Sequence, residues 1–167
     1  MAGTRYTHVS LLADDLEESV SFYKDVLKLE EIPTPNWDLP VQWLGVGDLQ
    51  LHLVETEGTR SDFNHFAVHV DDLEDVYTRV CEHETASVEV LEQYLDESGA
   101  DEDAPPVYYL PHGTVQLYVK DPGGNMVEVN YPDVEELDPA VVPNTVERDD
   151  LQPPAPGEEA ADVYMSN

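Results

Sequence analysis

The sequence contains one unit twice. His8 opens the string His-Val-Ser-Leu-Leu and His65 opens His-Phe-Ala-Val-His, and each histidine is followed six residues later by Asp-Asp-Leu-Glu, at 14–17 and at 71–74. The offset is constant along the whole match, so the two segments are copies of one structural unit and not a chance motif. Two copies of one unit can pack about a pseudo-two-fold axis, which turns equivalent side chains toward a common centre. This repeat limits the possible folds more than any other feature.

Each copy reads as a strand followed by a helix. Tyr6 to Leu12 and Phe63 to Val70 are rich in β-branched and aromatic residues and lack Gly and Pro. Alternation puts His8, Ser10 and Leu12 on one face, and His65, Ala67 and His69 on the corresponding face of the second copy. Asp15 is placed to cap the first helix, with Glu18 completing a capping-box-like pattern. Leu16, Val20, Tyr23 and Leu27 then form a stripe at helical spacing. In the second copy Asp72 caps, and Leu73, Val76, Tyr77 and Val80 form the stripe. Cys81 lies beside that stripe and is expected to be a small buried thiol.

Further strand-like runs follow each helix: Val41 to Gly45 and Leu49 to Val54, then Val107 to Leu110, Thr114 to Val119 and Met126 to Tyr131. Gly47-Asp48 and Asp121-Pro122-Gly123-Gly124-Asn125 are turn signals between them. The acidic, proline-ended segment from Asp96 to Pro106 reads as an exposed loop. Each half is thus a βαβββ-like unit, and the two halves are expected to combine into one sheet structure. The expected organisation is a single domain over 1–133, with module one at about 4–58 and module two at about 62–133. An acidic, Pro-rich C-terminal tail covers 134–167. Six of the thirteen prolines fall in the last 36 residues, and the tail has no core of its own. Its Leu137, Val141, Val142, Val163 and Tyr164 are the residues available to dock on a neighbour.

Charge decides which partners are excluded. The 167 residues include 37 Asp or Glu but only 7 Lys or Arg, a formal charge of −30. So few cations cannot neutralise many phosphates, which excludes nucleic acid, and the same charge excludes anionic membrane surfaces. The 41% of hydrophobic residues is enough for a packed core. One cysteine allows neither an internal disulfide nor a cysteine-based zinc site. No apolar run approaches membrane-spanning length and no secretory segment opens the chain, so a cytoplasmic location is expected. The scarcity of lysine beside abundant acids resembles the proteins of salt-in halophiles, whose self-repulsion is screened by salt.

The repeat pairs His8 with His65. It also pairs His52 with Glu128, each a polar residue between apolar neighbours in the last strand of its half. If the halves are related by a pseudo-two-fold axis, these four side chains can converge. Three imidazoles and a carboxylate suit Zn²⁺, Ni²⁺, Co²⁺, Mn²⁺ or Fe²⁺. The competing reading is plain: strand histidines often serve as hydrogen-bonded core, and a strand glutamate commonly faces water. His69 lies roughly 13 Å along the strand from His65, too far to share its metal. His83 and His112 read as surface residues.

Several strings together resemble the vicinal oxygen chelate superfamily, which includes glyoxalase I, extradiol dioxygenases, bleomycin- and fosfomycin-resistance proteins and methylmalonyl-CoA epimerase. They are His8…Asp15-Leu16-Glu17…Phe22-Tyr23…Leu27, then Asn64-His65-Phe66-Ala67, and above all Asp121-Pro122-Gly123-Gly124-Asn125-Met126-Val127-Glu128. The resemblance covers about residues 5–132. It implies an α+β, glyoxalase-like fold in which paired βαβββ modules form a cupped mixed or antiparallel sheet around a divalent metal ion. By position it assigns His8, His65 and Glu128 as metal ligands. His52 falls where glyoxalase I-like members carry a fourth ligand, commonly Glu or Gln, so histidine there departs from the pattern.

With four ligands, including His52, the resemblance implies lyase or isomerase chemistry through a metal-stabilised enolate on a small oxygenated substrate. Glu128 then acts as base, with His52 or His8 opposite. With His8, His65 and Glu128 alone, the implied chemistry is ring-cleaving extradiol dioxygenation on Fe²⁺, with Tyr131 and His112 as supporting groups. A non-catalytic small-molecule binding or resistance protein is the third reading. Only Arg5 and Lys120 are placed to meet an anionic substrate, which favours a small or neutral one. Trp37, Trp43, Tyr108, Tyr109 and Tyr118 are candidates to line the cup. A homodimer is expected, because many superfamily members complete their sites across an interface.

Overall fold

The computed structural model describes residues 4–61, 63–91 and 104–148. Module one runs β1 (His8–Ala13), α1 (Leu16–Val26), β2 (Glu30–Ile32), β3 (Val41–Val46) and β4 (Leu49–Glu55). Its four-stranded sheet has the order β1-β4-β3-β2, with β1 parallel to β4 and the other pairs antiparallel. Module two runs β5 (His65–His69), α2 (Leu73–Glu82), β6 (Ser87–Val88), β7 (Val107–Tyr109), β8 (Val115–Lys120) and β9 (Met126–Tyr131). After a 3₁₀ turn at Val134–Glu136, β10 (Thr145–Glu147) completes a second sheet of order β10-β7-β8-β9-β5, with β6 also paired to β8. The result is the expected α+β class, with the paired modules each forming a mixed sheet.

The helices start where their caps stand. Asp15 accepts from the Glu18 amide at 2.9 Å and Asp72 from the Asp75 amide at 3.0 Å, each satisfying a first-turn N–H that has no partner within the helix. The α2 stripe is the expected one: Leu73, Val76, Tyr77 and Val80 are all buried. On α1 the buried face is rotated, to Ser19, Phe22, Tyr23 and Val26, and Leu16, Val20 and Leu27 flank it half-buried. Both helices pack on the same core as Leu51, Leu53, Leu117, Val119, Val127 and Val129, so one hydrophobic core serves both modules. Cys81 is exposed, contrary to expectation, because the α2 stripe turns it outward.

Two strands are invisible to hydrophobic patterning. β2 and β6 are short edge strands of ordinary surface residues, held by backbone pairing of Glu30 opposite Gly45 and Ser87 opposite Lys120. They are nevertheless repeat-equivalent, since Glu30 and Ser87 keep the spacing of His8 and His65. Residues 134–148, expected to be tail, pack on module two. Val142 is fully buried, Leu137 and Val141 flank the core, and β10 lies parallel to β7. Val163, Tyr164 and most of the expected loop at 96–106 lie outside the described residues, though Ala104 and Pro106 are buried.

The turn between β8 and β9 joins the modules. Asp121, buried, accepts from Tyr23 Oη of α1 at 2.9 Å, from the Asn125 amide at 2.7 Å and from Asn125 Nδ2 at 2.8 Å. The Leu12 carbonyl at the end of β1 accepts from Asn125 Nδ2 and from Arg60 Nη2. A Cβ on Gly123 would come within 3.1 Å of that carbonyl, and Gly124 has φ +79°, so both glycines are required by geometry. Burial pushes the Asp121 carboxyl up, opposed by these hydrogen bonds and by Arg60. The most recognisable string of the sequence is therefore a structural joint.

Candidate metal centre

Strand alternation places the chemistry on the faces turned away from the helices. On the first sheet, Ser10 of β1 and Trp43 of β3 flank His52 of β4 in register. The His52 ring is sandwiched: His8 stacks on it at 4.3 Å and 13°, and Trp43 at 4.0 Å and 5°. Gln50 Oε1 lies 2.9 Å from His52 Nε2 and can only accept, so Nε2 carries the proton and Nδ1 keeps a lone pair. Burial, followed by the neighbouring His8 ring, pushes the His52 pKa down. His8 itself is exposed, with Nδ1 2.9 Å from Thr7 Oγ1.

On the second sheet, Glu128 of β9 stands between Ala67 of β5 and Tyr118 of β8. His65 reaches it diagonally, with Nε2 3.0 Å from Glu128 Oε2. The other ring nitrogen, Nδ1, lies 2.9 Å from the Phe63 carbonyl, which can only accept, so Nδ1 donates. Gln116 Nε2 donates to Glu128 Oε1 at 2.8 Å inside the protein. With Nδ1 turned to the Phe63 carbonyl, His65 points Nε2 at Glu128 Oε2, so the two side chains present a nitrogen and an oxygen side by side. A histidine that donates one N–H to a backbone carbonyl while offering the other nitrogen is arranged as a metal ligand. This donor set fits a divalent ion.

The four sequence-nominated side chains thus form two pairs, His8 with His52 and His65 with Glu128. Among the described residues no three His, Cys, Asp or Glu side chains gather into one metal-holding group. His8 and His65 both line a cavity of about 420 Å³ walled by β1, β4 and β5, with Tyr6 at its edge. The remaining histidines stand apart. His69 is exposed with Nε2 3.5 Å from Asp71, His83 meets Phe22 edge-on, and His112 is exposed. Tyr131 lies an odd number of residues from Glu128, which turns it to the helix side, where it donates to Glu136. It cannot support Glu128. Lys120 is paired with Glu89 at 2.6 Å.

Gln50 and Gln116 escaped sequence reasoning. Their signal was there: each shares its strand's polar face with a nominated group, Gln50 two residues before His52 and Gln116 two before Tyr118. Of the aromatic candidates, Trp43, Tyr108 and Tyr118 are on the cup faces. Tyr118 meets His65 edge-on at 5.9 Å, whereas Tyr109 turns away.

Residues 5–129 match the Glyoxalase/Bleomycin resistance protein/Dioxygenase superfamily, and the chain belongs to it. Among solved structures, lactoylglutathione lyase from Agrobacterium tumefaciens is similar at 25% identity and TM-score 0.54, over 77% of this chain and 94% of that one. A putative glyoxalase family protein from Bacillus anthracis matches at 21% identity and TM-score 0.56, over 78% of this chain and 96% of that one. A fosfomycin resistance protein from Listeria monocytogenes, crystallised with Mn(II) and 1S,2S-dihydroxypropylphosphonic acid, shares the fold at 13% identity and TM-score 0.58. That match covers 81% of this chain and 98% of the other. No curated protein matches the chain.

Proposed function

We propose that the protein is a divalent-metal-dependent enzyme of lyase or isomerase type acting on a small oxygenated substrate. In this reading the metal is held by His8 and His52 of one chain and by His65 and Glu128 of a second copy in a homodimer. The observation that carries it is the division of four repeat-equivalent donors into two pairs, His8 stacked on His52 and His65 in contact with Glu128, on the outward faces of the two sheets. When bound, the metal supplies Lewis-acid stabilisation of negative charge on a substrate oxygen. Glu128 takes the proton from the carbon beside a carbonyl, and Gln116 fixes its Oε1 so that Oε2 faces the site. His52, braced between two rings with Nε2 tied to Gln50, faces the site from the opposite side and offers it Nδ1.

The test is complementation. A double variant His8→Ala/His52→Ala and a double variant His65→Ala/Glu128→Ala are each expected to lose tight metal binding. Co-refolded in equal amounts, half of the dimers are mixed, and each of these has one site with all four donors and one with none, so about a quarter of the wild-type metal content returns. A site built within one chain would regain nothing on mixing, and that result would overturn the shared-site reading. Turnover by the metal-loaded protein then separates an enzyme from a stoichiometric binder.

A further inference from the structure

Trp43, His52 and His8 form one stack of three rings, and the stack bears on how two histidines can share an ion. An imidazole holds a divalent ion along a nitrogen lone pair, in the plane of its own ring, at about 2 Å. The His8 and His52 rings lie face to face, 4.3 Å apart and inclined by 13°. Planes so nearly parallel converge far beyond bonding reach. The two lone pairs therefore meet on one ion only after one ring has turned.

The surroundings decide which ring turns. Trp43, the in-register partner of His52 on β3, covers one face of the His52 ring at 4.0 Å and 5°. Gln50, two residues back on the same strand, holds Nε2 at 2.9 Å. Trp43 is itself anchored, its N–H donating to Thr34 Oγ1 at 2.9 Å and its carbonyl accepting from Gln42 Nε2 at 2.9 Å. His8 is held less firmly. It is the first residue of β1, it is exposed, and its Nδ1 meets the adjacent Thr7 hydroxyl at 2.9 Å. It also borders two cavities, of about 420 Å³ and about 500 Å³, which leave its ring room to move. Turning His8 breaks one stack and one bond to an exposed neighbour. Turning His52 breaks two stacks and the Gln50 bond.

We infer that Trp43 is a positioning residue of the site: with Gln50 it locks His52 as the fixed donor, and His8 is the donor that turns off the stack when a metal binds. This rests on the proposed site for the identity of the donors. It adds unequal parts for the two histidines and a part for Trp43. Holding one donor in place lowers the freedom lost when the ion is bound.

The test uses the full chain labelled with ¹³C and ¹⁵N at histidine and tryptophan, in molar KCl, before and after stoichiometric Zn²⁺. Ring-to-ring Overhauser contacts are expected for both His8–His52 and Trp43–His52 before zinc. Afterwards only Trp43–His52 should remain, with His52 Nδ1 at the shift of a metal-bound nitrogen. Loss of the Trp43–His52 contact would overturn the inference. Trp43→Ala should weaken zinc binding about 10–100-fold and move the visible absorption of Co²⁺-loaded protein toward that of His52→Ala. Trp43→Phe, which keeps a ring on that face, should recover most of both. Unchanged affinity in Trp43→Ala, or an equal loss in both variants, would defeat the role of Trp43. Elemental analysis separates this inference from the reading beneath it. A protein that binds no zinc defeats the metal site and the inference with it. Zinc bound beside an intact His8–His52 stack defeats the inference and leaves a metal site with three donors.

Discussion

The two modules descend from one repeated pattern, yet their equivalent pairs sit in different surroundings. In module one the His52 ring is held by stacking, and the space before it is open and walled by apolar side chains. In module two Glu128 is 6% exposed and clamped by a glutamine, and Met126, Tyr118 and Tyr108 beside it are packed over by Leu91 and Val146. The difference comes from what module two adds to the repeat. β7 and β10 extend its sheet, and Leu91 and Val146 pack on its outward face, where module one has an open cavity. A duplicated scaffold thus carries two unlike outward faces, one packed beside a clamped carboxylate and the other open before a stacked imidazole.

Substitutions can break that contrast. The largest effect is expected from Glu128→Ala or His65→Ala, which should reduce bound metal to background while the fold survives in high salt. Elemental analysis of dialysed protein checks this, and unchanged stoichiometric content in both variants would refute the site. His52→Ala should alter the ligand field of bound Co²⁺, read from its visible absorption, because the ring is an immediate donor in the proposed four-ligand set. Next is Gln116→Leu, which frees the Glu128 carboxylate without touching a donor and should weaken metal affinity about 10–100-fold. If affinity is unmoved, the clamp has no role in the contrast between the modules.

Stability variants test the joint rather than the site. Asp121→Ala leaves the buried Tyr23 hydroxyl and the Asn125 amide without their acceptor and should cost about 3 kcal/mol, seen as a lower denaturation midpoint at unchanged slope. Tyr23→Phe removes one of those bonds and should cost about 1 kcal/mol. Smallest per charge but distributed over the surface, the acidic self-repulsion predicts a melting temperature that rises from about 0.1 M to about 2 M KCl as the screening length shrinks. A flat profile would remove the reason given for the composition.

Much of the architecture was legible in the sequence because it depends on local rules. Asp15 and Asp72 cap helices through side-chain reach of three residues, Leu73 to Val80 keeps a helical period, and Met126 to Tyr131 alternates. Where partners are distant, legibility ended. β2 and β6 carry no pattern of their own and exist because β3 and β8 present a free edge. Val142 sits in an acidic, proline-rich stretch and is buried only because α2 and the second sheet offer it a seat. Tyr131 looked available to Glu128 by closeness in sequence, and strand alternation put it on the other side.

The sequence by itself determined the duplication, the two strand–helix units and the identity of His8, His52, His65 and Glu128 as repeat-equivalent polar positions, since period and spacing are written residue by residue. Only the tertiary structure decided that these four divide into pairs. It also set which ring nitrogen His52 and His65 turn to their partners, through Gln50 and the Phe63 carbonyl, and packed Leu91 and Val146 on the sheet of Glu128 while leaving a cavity before His52. Those outcomes depend on how sheets meet across tens of residues and on hydrogen-bond partners that spacing along the chain does not encode.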